Sequence, residues 1–124
     1  MQAALRIAGW ANLLPGALVC LVAPAALFRW LELPFDATAA VLMRYLGVAF
    51  LALGVMNAAA AARPSVWKPV IALDLVLFGG SALVPLSRYL LEGGVHWFWW
   101  ANAALDAAMF SLVAASAIRT FWMK

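Results

Sequence analysis

Four long apolar runs separated by short polar breaks make up almost the whole chain. The runs cover residues 7–28, 39–62, 69–91 and 95–118, and the breaks read RWLELPFD, RPSVWK and LEGGVH. A helix needs roughly 20 apolar residues to cross a bilayer, so each run predicts one transmembrane helix. The breaks combine Pro or Gly with charge, as expected of turns, and they are short enough to make neighbouring helices antiparallel. The pattern predicts an all-α fold: one polytopic domain over residues 1–124, a four-helix transmembrane bundle with short loops. Residues 1–26 also carry features of a cleaved leader, namely one Arg, an apolar run and APAA. They are read here as the first transmembrane helix.

Composition strengthens this reading. The 124 residues are 69% hydrophobic and 10% charged, with a mean hydropathy of +1.01. Soluble domains are about 45–50% apolar and about 25% charged. The net charge of +3 comes with no basic stripe, so nucleic acid is not an expected partner. The single cysteine, Cys20, excludes an internal disulfide and a paired-cysteine metal site, and it reads as an apolar core thiol. No metal ligand set is expected.

Lys and Arg predict orientation. With the N-terminus inside, Arg6, Arg63, Lys68, Arg119 and Lys124 fall on the inner side, and Arg29, Arg44 and Arg88 on the outer side. That bias predicts a bacterial inner-membrane protein with both termini cytoplasmic, and leaves dual topology open. Arg44 is expected to snorkel to the headgroups. His96, Trp97, Phe98, Trp99 and Trp100 open the fourth run at the outer level. Trp67 and Trp122 mark the inner level, with Trp10 slightly deeper. Interface anchoring accounts for these aromatics. A sharper reading makes His96, Trp97, Trp99 and Trp100 the mouth of a site for a bound lipid, quinone or pigment. No resident cofactor is predicted.

Lipid gives helices no hydrophobic reason to associate, so close packing relies on small residues. Ala103, Ala107, Ser111 and Ala115 recur every fourth residue in the last run, and Gly54, Ala58 and Ala62 do so in the second. Both stripes predict tight helix contacts, within the bundle or between subunits. Pro15, Pro24 and Pro85 predict bends.

The informative polar residues are Asn12, Asn57, Asp74, Asn102 and Asp106. An aspartate at the centre of a span costs about 2.5–3.5 kcal/mol on insertion scales, so each needs a partner or a task. Asn57 and Asp74 lie equally far from the middle of the loop that joins their helices. With a common helical rise they share one depth, and Asn12 approaches from the same side. These three predict a polar cluster. Asn102 and Asp106 are one turn apart on one helix face. Asp106 therefore reads either as a hydrogen-bonded strut between helices or as a proton-coupled site.

Nucleotide-binding glycine patterns, GxSxG and HExxH are all missing, and an enzyme is not expected. The GG…RY string at 79–89 is similar to the opening of small fluoride channels, but it stands in the wrong run. Small multidrug transporters carry a glutamate in the first run, which has no acid here. RYLGVAFLALGVMNAAAAARP (44–64), followed by ALDAAMFSLVAASAIR (104–119), resembles uncharacterised four-helix bacterial inner-membrane proteins of loosely DoxX-like layout. That resemblance implies the architecture and no activity. The expected function is a non-enzymatic accessory or assembly subunit of a membrane complex or homo-oligomer, partnered by the lipid bilayer and by other membrane subunits or copies of itself. The alternatives are a small proton- or cation-coupled transporter or channel using Asp74 and Asp106, and a binder of a hydrophobic ligand at the outer tryptophans.

Overall fold

The computed structural model describes residues 1–123; Lys124, counted above among the inner cations, lies outside them. Helices α1 (Gln2–Ala11) and α2 (Val19–Val22) are joined by a widened π-helical turn over Asn12–Leu18. Together they form one 21-residue helix, Gln2–Val22. A short α3 (Pro24–Trp30) follows, then α4 (Ala37–Ala61), a single 3-10 turn (Pro64–Val66), α5 (Trp67–Glu92) and α6 (Trp97–Phe121). Four of these helical stretches are long and apolar enough to cross a membrane, and 11–33% of each most apolar window is buried inside the bundle. The remaining apolar surface faces outward, as a lipid-facing helix requires.

The first helix lies earlier than its expected bounds of 7–28. It starts at Gln2 and stops at Ala23, whose backbone (φ −135°, ψ 41°) is non-helical. Pro24 explains the stop, because it disfavours helical backbone in the residue before it. Pro15 acts differently. It falls inside the π-helical turn, whose altered hydrogen bonding accommodates the missing N–H. Pro85 is buried within α5, which runs through it from Trp67 to Glu92.

The helix ends are held by local bonds. The Asp36 carboxylate accepts the Ala39 N–H at 2.7 Å and caps α4. At the end of α3, Leu33 N–H donates to Phe28 O and Glu32 N–H to Arg29 O. These are the paired bonds of a Schellman turn. They place Glu32 at φ 56°, where glycine is the usual occupant. Gly93 (φ 75°) ends α5 in the same left-handed region.

Glycine brings the first hairpin together. A Cβ on Gly54 would come within 3.1 Å of Gly9 O and 2.5 Å of Leu13, and one on Gly9 within 3.2 Å of Gly54 O. The backbones of α1 and α4 therefore nearly touch. Higher up, a Cβ on Gly47 would meet Leu21 at 2.6 Å, and one on Gly16 would meet Phe50 at 2.7 Å. The second hairpin, α5 with α6, packs antiparallel beside the first. The joint core consists of Leu5, Ala8, Ala60, Ala61, Val70, Ile71, Phe78, Met109 and Val113. These residues run from the terminal end of the bundle to its middle, so the hairpins are fastened over that stretch.

The expected stripes are only partly used inside the chain. Gly54 and Ala103 are buried, whereas Ala58, Ala62, Ala107, Ser111 and Ala115 face outward. The reason is register: α4 turns Gly47, Gly54, Asn57 and Ala61 inward, a spacing of three, four and seven that a strict four-residue stripe leaves behind.

Candidate functional site

The most buried polar group in the molecule is built where α4 meets α5. Asn57 enters from α4 one turn below Gly54, and Asp74 from α5 two turns after Trp67. Asn57 Nδ2 donates to Asp74 Oδ1 at 3.0 Å, and both residues are 0% exposed. The pair therefore bridges the two hairpins inside the core. The Trp67 indole N–H, on the same face, donates to Ala60 O at 2.8 Å and pins the start of α5 to the end of α4. That bond gives Trp67 a structural task beyond the interface anchoring expected of it.

Two atoms of this pair have no partner: Asn57 Oδ1 and Asp74 Oδ2. Both are buried acceptors on neighbouring side chains. A buried acceptor without a donor costs about 1–3 kcal/mol. One proton on Asp74 Oδ2 would turn an unmet acceptor into a donor within the pair, since a protonated carboxyl both donates and accepts. The arrangement thus suits a carboxylic acid paired with an amide, or a small cation held between two oxygens.

Asn12 is buried at 3% exposure, on the α1 side of the same core. It joins Asn57 and Asp74 in burial, while the hydrogen bond of the cluster runs between Asn57 and Asp74 alone. The expected triad is therefore a bonded pair with a buried amide in the neighbouring helix.

The second polar pair sits in the other half of the bundle. Asn102 Nδ2 donates to Asp106 Oδ2 at 2.9 Å, one turn apart on α6. Ser81 of α5 approaches the same carboxyl. Both Asn102 and Asp106 are half-buried, so this pair lies at the edge of the α5–α6 contact. The structure keeps the two aspartates in separate clusters.

At the start of α6, His96 is the capping residue, and its Nδ1 accepts the Phe98 N–H at 3.3 Å. The following rings meet edge-on in sequence, Trp97 with Phe98 at 6.2 Å and Phe98 with Trp99 at 5.3 Å. Trp100 packs edge-on against Tyr89 of α5 at 6.2 Å. Trp97 and Trp100 are exposed and Trp99 is half-buried. Among the described residues no three His, Cys, Asp or Glu side chains converge on one point.

Of the glycines that set the helix spacing, sequence reasoning named Gly54 and missed Gly9, Gly16 and Gly47. Gly9 and Gly16 are seven residues apart, as are Gly47 and Gly54. Two such pairs on adjacent antiparallel helices are the signal that would have found this contact. Comparison with family models, curated proteins and solved structures finds no match to the chain.

Proposed function

We propose that the chain is a non-enzymatic membrane subunit that docks against other membrane helices, its own copies included. The observation that supports this is the outward face of α6, where Ala107, Ser111 and Ala115 are exposed. Small residues on an otherwise apolar outer face let a second helix approach closely. In this reading the chain sits in a bacterial inner membrane with both termini cytoplasmic. Arg6, Arg63, Lys68 and Arg119 gather at that end, as the positive-inside rule expects. The test is native mass spectrometry of the detergent-solubilised protein, with Ala107→Leu and Ser111→Leu as variants. Both positions are outside the chain's own core, so the fold should survive while the assembly is lost. An assembly that persists in both variants rules out this face.

A second reading, proton- or cation-coupled transport, draws on the unpartnered Asn57 Oδ1 and Asp74 Oδ2. Its test is ion flux into liposomes carrying the purified protein. Flux that survives Asp74→Asn combined with Asp106→Asn removes the aspartates from any transport role.

A further inference from the structure

The recess at the opposite end of the bundle from the termini carries charge that no group among the described residues answers. It forms where the first helix breaks at Ala23, and its volume is about 440 Å³. Leu21, Val22, Ala26, Phe35 and Ala40 give it apolar walls, and Arg29 and Arg44 both line it. Arg29 lies in the last turn of α3. Arg44 lies seven residues into α4, about 10 Å along the helix from its first residue at the usual rise.

Neither arginine has a side-chain partner among the described residues. Among the described residues the one salt bridge joins Arg88 to Glu92. The carboxylate nearest in sequence to the recess, Asp36, is engaged in capping Ala39, and neither it nor Glu32 lines the recess. Both are exposed; Arg44 lies within the second span, where an arginine is costly unless it reaches an anion or the headgroup layer, and Arg29 lies just outside the spans. Two guanidiniums with five N–H donors each match the oxygens of a phosphate. The apolar walls beside them match a hydrocarbon tail.

We propose that this recess binds a single anionic phospholipid, its phosphate between Arg29 and Arg44 and the upper part of one acyl chain against Leu21, Ala26, Phe35 and Ala40. The break at Ala23 makes the room: a first helix continuing straight past Val22 would leave no α3 to bring Arg29 back over α4. Phe28, tilted against Phe35 at 5.0 Å, holds in place the turn that carries this recess wall.

The test uses the full chain in mild detergent and native mass spectrometry. It is titrated with phosphatidylglycerol and with phosphatidylcholine of identical acyl chains, and in a separate arm with inorganic phosphate as competitor. The parent protein should retain phosphatidylglycerol on the order of ten-fold better than phosphatidylcholine, given two basic side chains near the headgroup. Arg29→Gln with Arg44→Gln should abolish that preference, while Arg63→Gln with Arg119→Gln, at the other end, should leave it intact. If the double Gln variant does not fold, Ala40→Trp serves instead. It fills the recess with both arginines in place and should remove the preference for phosphatidylglycerol by shutting the lipid out. Equal retention of the two lipids by the parent, or a preference that survives either recess variant, overturns the proposal. Displacement of phosphatidylglycerol by millimolar inorganic phosphate also overturns it and makes the site one for the free anion.

Discussion

Removing Asn57 should cost more than removing any other amide in the chain. In Asn57→Ala the carboxyl of Asp74, 0% exposed, loses the donor that now stands at 3.0 Å and keeps no other. A buried group stripped of its partner loses about 1–3 kcal/mol. Hydrogen bonds between membrane helices, measured by double-mutant cycles, average about 0.6 kcal/mol and reach about 1.7 kcal/mol. Full burial of both residues places this pair at the upper end, so the coupling between Asn57→Ala and Asp74→Ala should be about 1–2 kcal/mol. The assay is equilibrium unfolding in mixed micelles across the four proteins of the cycle. Asp74→Asn gives a sharper comparison, because its amide can donate to the now unpartnered Asn57 Oδ1. It should therefore lie within about 0.5 kcal/mol of the parent, the scatter expected of neutral changes. A coupling under about 0.3 kcal/mol, inside the additivity error of independent sites, would refute the clamp. A loss above about 2 kcal/mol in Asp74→Asn, larger than a neutral hydrogen bond is worth, would show that a charge at this site is required.

Four further outcomes follow from the same geometry. Asn102→Ala should cost only about 0.3–0.5 kcal/mol in the same assay, because its bond to Asp106 lies within one helix and is half exposed. Asp106→Asn should match the parent while Asp106→Leu is less stable; a Leu variant as stable as the parent would mean that the carboxyl braces nothing. Gly54→Ala should destabilise by about 1–3 kcal/mol by driving α4 off Leu13 and Gly9, whereas Gly80→Ala, with nothing within 4 Å of its added carbon, should gain up to about 1 kcal/mol of helix propensity. Glu32→Gly should stabilise by about 1 kcal/mol, because the left-handed backbone at φ 56° penalises a side chain; no change in the unfolding midpoint would mean that another contact holds that turn.

The architecture was legible because its signals are one-dimensional. Run length and loop length decide helix number and antiparallel order, and equal distance from one loop put Asn57 opposite Asp74. The i, i+4 spacing of Asn102 and Asp106 likewise sufficed for their bond. What failed required knowing which way each helix turns. Ala107, Ser111 and Ala115 have the right spacing for a packing stripe, but α6 turns Ala103, Met109 and Val113 inward instead. The first helix was misplaced by its prolines, since hydropathy runs smoothly through Ala23 while the backbone does not. The recess at Arg29 and Arg44 was invisible for the same reason: it exists only because the chain folds back at that break.

The fastening of the two hairpins in one half of the bundle has a mechanical consequence. Asp74 is a fulcrum, and the stretch of α5 from there to Glu92 is a lever arm of about 27 Å at the helical rise. A tilt of about ten degrees at the fulcrum swings its free end by about 5 Å, close to the width of one hydrocarbon chain, by the geometry of a rigid rod of that length. Such a tilt would part the second hairpin from the first by a lipid's width at the end away from the termini, with little disturbance to the packed end and none to the arginine recess, which the first hairpin alone lines.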